Sequence, residues 1–329
     1  MVLRFFAALL SLLSAHAGIQ CLDADGQPTD TWTILKAPKT GDSFLYATAS
    51  DELYAPSYSL NDTTRGALSY TLQQLWAEGT SYVLFNDEPP GQIDYNFTVG
   101  HTKGVLATDG TTGFYLVHSL PKFPTGPGEV STYGGLSPNT WTYAQNLYCA
   151  SFPLAALDRI AYAFQLNLPL LYDFHLDPAV AVAAPNISAL VKGKFSTAPI
   201  CAHTSLTTLG GNPHIFFTKT SQWNNDLWSS CVAPALQTDL VVESWIRGSA
   251  IGPSCTQYPV LDASEISFSS DFTWSEYEDH SKWASSPDAS IACHGDINRM
   301  TTQYARGGGA LCFTPSYNLA SAVIKENSC

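Results

Sequence analysis

The chain has 329 residues, 45% of them apolar, enough for one large domain or two fused halves around a sizeable core. Charged residues make up only 13%, about half the usual share of ~25%, so uncharged polar and aromatic side chains must supply much of the surface. The net charge of −13 excludes broad, charge-driven binding to nucleic acid. Any polyanion must be met by a local cluster of cations.

Residues 1–17 read as a signal peptide: a basic "MVLR", an apolar "FFAALLSLLSA", and "AHA" as a cleavage site ending at Ala17. Without them the net charge is −14, because Arg4 is their one charged side chain, and protonating the seven remaining histidines would bring it only to −7. The most apolar later run, "LPLLYDFHLDPAVAVAA" (168–184), is interrupted by Asp173, His175, Asp177 and two prolines, so no span of a bilayer is expected. Eight cysteines (Cys21, Cys149, Cys201, Cys231, Cys255, Cys293, Cys312 and Cys329) suit an oxidising compartment. No CxxC pair points to structural zinc, and their pairing is not readable from spacing. Sequons at Asn61, Asn96 and Asn186 fit the same secretory route.

In chain order, "TTRGALSYTLQQLWAEG" (63–79) has helical periodicity through Leu68, Leu72 and Leu75, with N-cap candidates at Asn61 to Thr64. A strand follows at 81–87. "HTKGVLAT" (101–108), the turn "DGTTG" and "FYLVHS" (114–119) read as a hairpin. His101 and Lys103 then share a face, and His118 lies roughly opposite Lys103. A helix is expected over 151–167, and a seam between two halves, 18–195 and 196–329, near 190–200. Strands at 214–220 and 239–246 precede a second strand–turn–strand pattern: "HSKWAS" (280–285), "SPDA", then "SIACHGDINR" (290–299). "RGGGALC" (306–312) is an anion-binding loop or a tight turn, and "SYNLASAVIKENS" (316–328) closes the chain as a helix. Interspersed helices and strands suggest α/β layers.

The two strand–turn–strand patterns are a weak repeat. Each reads H-[ST]-K, five residues, then Asp: His101, Lys103 and Asp109 in one, His280, Lys282 and Asp288 in the other. A hydrogen-bonding residue follows in each, His118 and Asn298. Both histidine–lysine pairs are expected to be exposed. Two lysines suit the non-bridging oxygens of a phosphodiester. One imidazole can attack phosphorus and the other can protonate the departing oxygen. No metal or other cofactor is needed, and no dense carboxylate cluster suggests one. Asp109 and Asp288 fit ordinary turn chemistry. His175, His203, His214 and His294 read as structural or surface residues.

These residues resemble the deoxyribonuclease II family, acid, metal-independent endonucleases of lysosomes and secretions. The likeness runs through "LFNDEPP", "GHTKGVL", "FYLVHSLPKFP", "CASFP", "EDHSKW", "GDINR" and "RGGGALC", spread over most of the mature sequence. That family is similar to the phospholipase D superfamily, which implies an α/β fold of two pseudo-symmetric halves around a shared site. The resemblance implies catalysis by His101, Lys103, His280 and Lys282, with His118 and Asn298 supporting. It also implies disulfides Cys21–Cys149, Cys255–Cys329 and Cys293–Cys312, leaving Cys201 and Cys231 for a fourth. Ala284 stands where family members often carry a cysteine. DNA, gripped through its phosphates with little sequence preference, is the implied substrate, cut to 3′-phosphate and 5′-hydroxyl ends. The destination is lysosomal or secreted. Rival readings are a phosphodiesterase of the same fold acting on lipid or RNA, and a non-catalytic secreted binding or venom-type protein.

Overall fold

A computed structural model describes residues 18–92, 98–245 and 248–329. The expected signal peptide, residues 1–17, and the sequon at Asn96 lie outside the described residues. Seven strands come from the first part of the chain: β1 (Thr31–Lys36), β2 (Phe44–Thr48), β3 (Ser81–Asn86), β4 (Lys103–Thr108), β5 (Thr112–His118), β6 (Gln145–Pro153) and β7 (Leu171–His175). They form one antiparallel sheet in the order β2-β1-β6-β5-β4-β3-β7. Nine more follow: β8 (Cys201–Thr207), β9 (Pro213–Lys219), β10 (Leu240–Ser244), β11 (Val260–Ser269), β12 (Phe272–Ser275), β13 (Lys282–Ser285), β14 (Ala292–Gly295), β15 (Gly308–Phe313) and β16 (Val323–Glu326). The second sheet runs β12-β11-β10-β13-β14-β15-β9-β8, with β16 beside β11 and β10–β11 parallel.

Side chains two apart on a strand share a face, and that parity divides the core into layers. Val83, Phe85, Leu106, Tyr115, Val117 and Tyr148 of the first sheet join Phe216, Val241, Trp283 and Leu311 of the second in one buried cluster. The alternate residues Leu84, Val105, Phe114, Leu116 and Leu147 pack under a helix, α1 (Ala67–Gln73). Phe217, Val242, Ala284 and Ala310 pack beneath Trp228 and Val232 on the far side. Two sheets therefore stack face to face with few helices around them, a mixed α/β molecule dominated by its sheets. Helix α2 (Leu154–Asn167) buries Leu157, Ile160, Ala161 and Phe164, the spacing of one helical face. No helix among the described residues is long and apolar enough to cross a membrane.

Several local expectations are corrected. α1 is short and begins after Gly66, with no side-chain cap. Asp62 instead accepts from the Thr64 amide at 2.9 Å in a local turn. Residues 151–153 finish β6 rather than start α2. The expected C-terminal helix is a 3-10 turn (Ala320–Ala322) followed by β16, because pairing with β11 satisfies its backbone more fully than a short exposed helix could. Only part of "RGGGALC" is loop: Arg306 and Gly307 lie in the bend before β15, while Gly308 to Cys312 are strand, and a side chain would overlap the Asn167 carbonyl oxygen at Gly307 and the Phe217 carbonyl oxygen at Gly309. Four disulfides are present, Cys21–Cys149, Cys201–Cys231, Cys255–Cys329 and Cys293–Cys312.

The close approach at β15 makes a simple test of packing. Gly309→Ala should destabilise the protein by roughly 1–3 kcal/mol, seen as a lower urea midpoint. An unchanged midpoint would show that the β15–β9 spacing is not limiting.

Candidate active site

Each H-x-K lysine is the first residue of an internal strand, Lys103 of β4 and Lys282 of β13, and each histidine lies in the segment leading into it. Each lead-in is hydrogen-bonded to the opposite part of the fold. The His101 amide donates to the Gly307 carbonyl, just before β15, at 2.8 Å. The His280 amide donates to the Ala144 carbonyl, just before β6, at 2.9 Å. The Lys282 amide also reaches Asn146 Oδ1 at 2.8 Å. The two motifs are thereby brought to one cleft of about 580 Å³, lined by both histidines with Asp87, Gln303, Asn298 and Arg306.

The pairs are not exposed as expected. Lys103 and Lys282 are fully buried, His101 is 4% exposed and His280 is half-buried, because each lysine opens a strand internal to its sheet. Burial of cations needs compensation, and Asp87, at the end of β3, supplies it. Its Oδ1 accepts from Lys103 Nζ. Its Oδ2 accepts from Arg306 Nη2 at 2.9 Å and lies 3.9 Å from His101 Nε2. Burial alone would raise the Asp87 pKa; Lys103, His101 and Arg306 outweigh it and hold the carboxylate below its ordinary range. Glu88 adds a second carboxylate 3.6 Å from Lys103.

The histidines are held through Nδ1. His101 Nδ1–H donates to Gln303 Oε1 at 2.9 Å, which leaves the Nε2 lone pair available. His280 Nδ1 lies 3.3 Å from the Ser119 carbonyl oxygen, and Lys282 Nζ donates to the His280 carbonyl at 2.7 Å. Burial first, then neighbouring lysines, push both imidazoles well below their usual pKa; Asp87 pulls the other way at each. Burial and Lys103 likewise lower Lys282 to about 7. Gln303 and Arg306 share a loop pinned by another buried lysine. Lys219 Nζ donates to the carbonyls of Gln303, Tyr304 and Arg306 at 3.0, 2.8 and 2.6 Å.

His118 lies where the β4–β5 register, with Gly104 opposite Val117, continues to Lys103. Burial, then Lys103 and Lys282, lower its pKa to about 3. Asn298 lines the cleft with a buried Oδ1 that has no protein partner. Asp109 and Asp288 lie in the hairpin turns, where each accepts from nearby backbone amides. His214 and His294 are buried on Tyr148 and Tyr317 hydroxyls, while His175 and His203 are exposed. Asn61 and Asn186 are half-buried; Asn61 accepts from the Leu136 amide and Asn186 donates to Asp158. Sequence reasoning missed Asp87, Gln303 and Arg306 as site residues. No local spacing ties them to the motifs; only their presence in the quoted stretches "LFNDEPP" and "RGGGALC" pointed to two of them. No group of His, Cys, Asp and Glu suited to a metal ion occurs among the described residues.

The family model described as deoxyribonuclease II matches residues 20–326. The chain belongs to the deoxyribonuclease II family. It is similar to deoxyribonuclease-2 of Caenorhabditis elegans, 31% identical over 98% of this chain and 96% of that protein. It is also similar to deoxyribonuclease-2-alpha of Mus musculus, 33% identical over 93% of each. Plancitoxin-1 of Acanthaster planci is 31% identical over 93% of this chain and 92% of its own length. The chain is accordingly an enzyme of the deoxyribonuclease II type, and its cleft joins buried lysines to two imidazoles.

Burial of ionisable groups makes stability depend on pH. Asp296, next to the site, is pushed up to about 8 by burial, which outweighs its hydrogen bond from Gly309 and the attraction of Lys103. The folded state therefore keeps a proton there that the unfolded chain gives up near the ordinary carboxylate value. That contribution is complete below the unfolded pKa and is lost as pH rises to about 8. Burial lowers His118 and His294 to about 3 and His214 to about 4. Their contribution is complete above the ordinary histidine value and is lost as pH falls through those values. Above pH ~6.5 the Asp296 contribution falls as pH rises, while Lys36 and Lys282, lowered by burial to about 7, and Lys219, lowered by burial to about 8, act in the opposite sense. The Asp296→Asn variant should therefore fall less, or rise more, in urea-unfolding stability between pH ~6.5 and ~8 than the wild type; an identical change would remove Asp296 as a contributor.

Proposed function

We propose that this chain is an acid, metal-independent endodeoxyribonuclease that cuts DNA to 3′-phosphate and 5′-hydroxyl ends through a phosphohistidine. The observation that carries the reading is the convergence of His101 and His280 on one cleft, with Lys103 and Lys282 buried near both imidazoles. The relatives' names, deoxyribonuclease-2 and deoxyribonuclease-2-alpha, support DNA as the substrate. In this reading residues 18–195 and 196–329 are two pseudo-symmetric halves of a phospholipase D-like fold. The disulfides and the signal-like N-terminus favour a lysosomal or secreted location, with glycans at the sequons.

The geometry supports a two-step chemistry. The Asn298 amide meets the non-bridging oxygens from the cleft wall, and the buried Lys103 and Lys282 ammonium groups stabilise the added charge of the transition state from behind the histidines. His101 Nε2, freed by the Nδ1 bond to Gln303, attacks phosphorus and forms a P–N bond as the P–O5′ bond breaks. Protonated His280 gives its Nε2 proton to the leaving oxygen. Neutral His280 then takes a proton from water, whose oxygen attacks phosphorus. The P–N bond breaks, and the 3′-phosphate is released. Each cycle needs one imidazole neutral and the other protonated, so kcat/KM should be bell-shaped in pH. The depressed histidine values support a bell on the acid side.

Plasmid nicking should persist in excess EDTA. Loss on chelation with recovery on Mg²⁺ would sink the scheme, and hydrolysis of phospholipid vesicles but not plasmid would favour a lipid phosphodiesterase.

His101→Ala and His280→Ala should each abolish turnover of ordinary DNA, with folding checked by circular dichroism. On a substrate with sulfur at the bridging 5′ position, whose thiolate needs little protonation, His280→Ala should recover and His101→Ala should not. The opposite pattern would exchange their roles.

A further inference from the structure

The cleft is not symmetric about its histidines. Near His101 it is lined by charge: Asp87, Glu88 and Arg306. Near His280 it is aromatic. The Trp245 ring lies 5.0 Å from the His280 ring, and the Tyr143 ring 6.3 Å from it. Those two rings meet edge to face at 4.7 Å and 78°. Both are half-buried and line the cleft.

The backbone holds this wall still. Tyr143 precedes Ala144, whose carbonyl accepts from the His280 amide. Trp245 follows Ser244, which pairs with Lys282 in the β10–β13 register. One ring thus comes from each sheet's strand ends, and both are tied to the second H-x-K pair. Phosphoryl transfer itself has no use for them. Aromatic rings beside a phosphate site take up flat apolar faces, as nucleobases present, and such stacking tolerates every base. The neighbouring amides of Asn139, Gln145 and Asn298 suit the polar edges of a base, and would penalise an acyl chain.

We infer that Tyr143 and Trp245 form a binding subsite for the nucleoside on the 3′ side of the cleaved phosphate, and so set the direction of the strand in the cleft. The polarity rests on the nuclease reading, in which His280 protonates the 5′ oxygen of that departing nucleoside.

The test uses a single-stranded oligonucleotide with one phosphodiester in an otherwise methylphosphonate backbone, so that one bond can be cut. Wild-type kcat/KM should fall at least about fivefold when the nucleoside 3′ to that bond is made abasic, and far less when the 5′ nucleoside is. Trp245→Ala should lose a similar factor on the intact substrate and become indifferent to the 3′ abasic change. Trp245→Leu, which keeps bulk without the ring, should behave alike and covers a folding defect in the alanine variant. If both variants remain as sensitive as wild type to the 3′ abasic change, or if they lose sensitivity on the 5′ side instead, the subsite is overturned. Failure of the wild type to cut the intact oligonucleotide would remove the nuclease reading, and the subsite with it, before any variant is compared.

Discussion

The Asp87 carboxylate is the interaction on which the site depends. Lys103, Arg306 and His101 all converge on it, and none of them could remain buried beside the others without an anion between them. Its place at the end of β3 explains why β4 can begin with a fully buried lysine. Because Arg306 comes from the segment entering β15, Asp87 also joins the first sheet to the second. The same ion holds the charge of the cleft and the relation between its two sides.

Around that hub the two sheets exchange bonds. His101 is fixed by the segment before β15, and His280 by the segment before β6. Lys219 spends three hydrogen bonds on the loop that carries Gln303 and Arg306. The two imidazoles therefore sit on strand entrances whose positions are set from across the interface, a rigid arrangement that would suit in-line chemistry. An acidic molecule presents a cationic centre by burying its lysines rather than spreading them over its surface. The raised Asp296 belongs to the same economy, since a neutral carboxyl can lie among these groups without cancelling the lysines.

Strongly patterned segments were legible. The β4–β5 hairpin, with its "DG" turn, and α2, with its helical face, stand close to where periodicity put them. The C-terminal segment misled because "NLASAVI" has helical spacing, while its strand conformation comes from β11, an element some sixty residues away. The glycines of 306–312 misled for a related reason: their small size serves close approach to Phe217 and Asn167, contacts invisible in a local reading.

By itself the sequence determined which chemistry the chain can hold, because the identities of two imidazoles and two ammonium groups, and the spacing within each pair, are local facts. It also determined that each pair enters a strand, since alternation and turn residues act over a few positions. Only the tertiary structure decided that the lysines are buried rather than exposed, that Asp87 is the partner of Lys103 and Gln303 that of His101, and that the two histidines face different walls of one cleft. Those outcomes depend on stacking two sheets whose contacting residues lie far apart in the chain, and burial and pairing energies arise only once that packing brings them together.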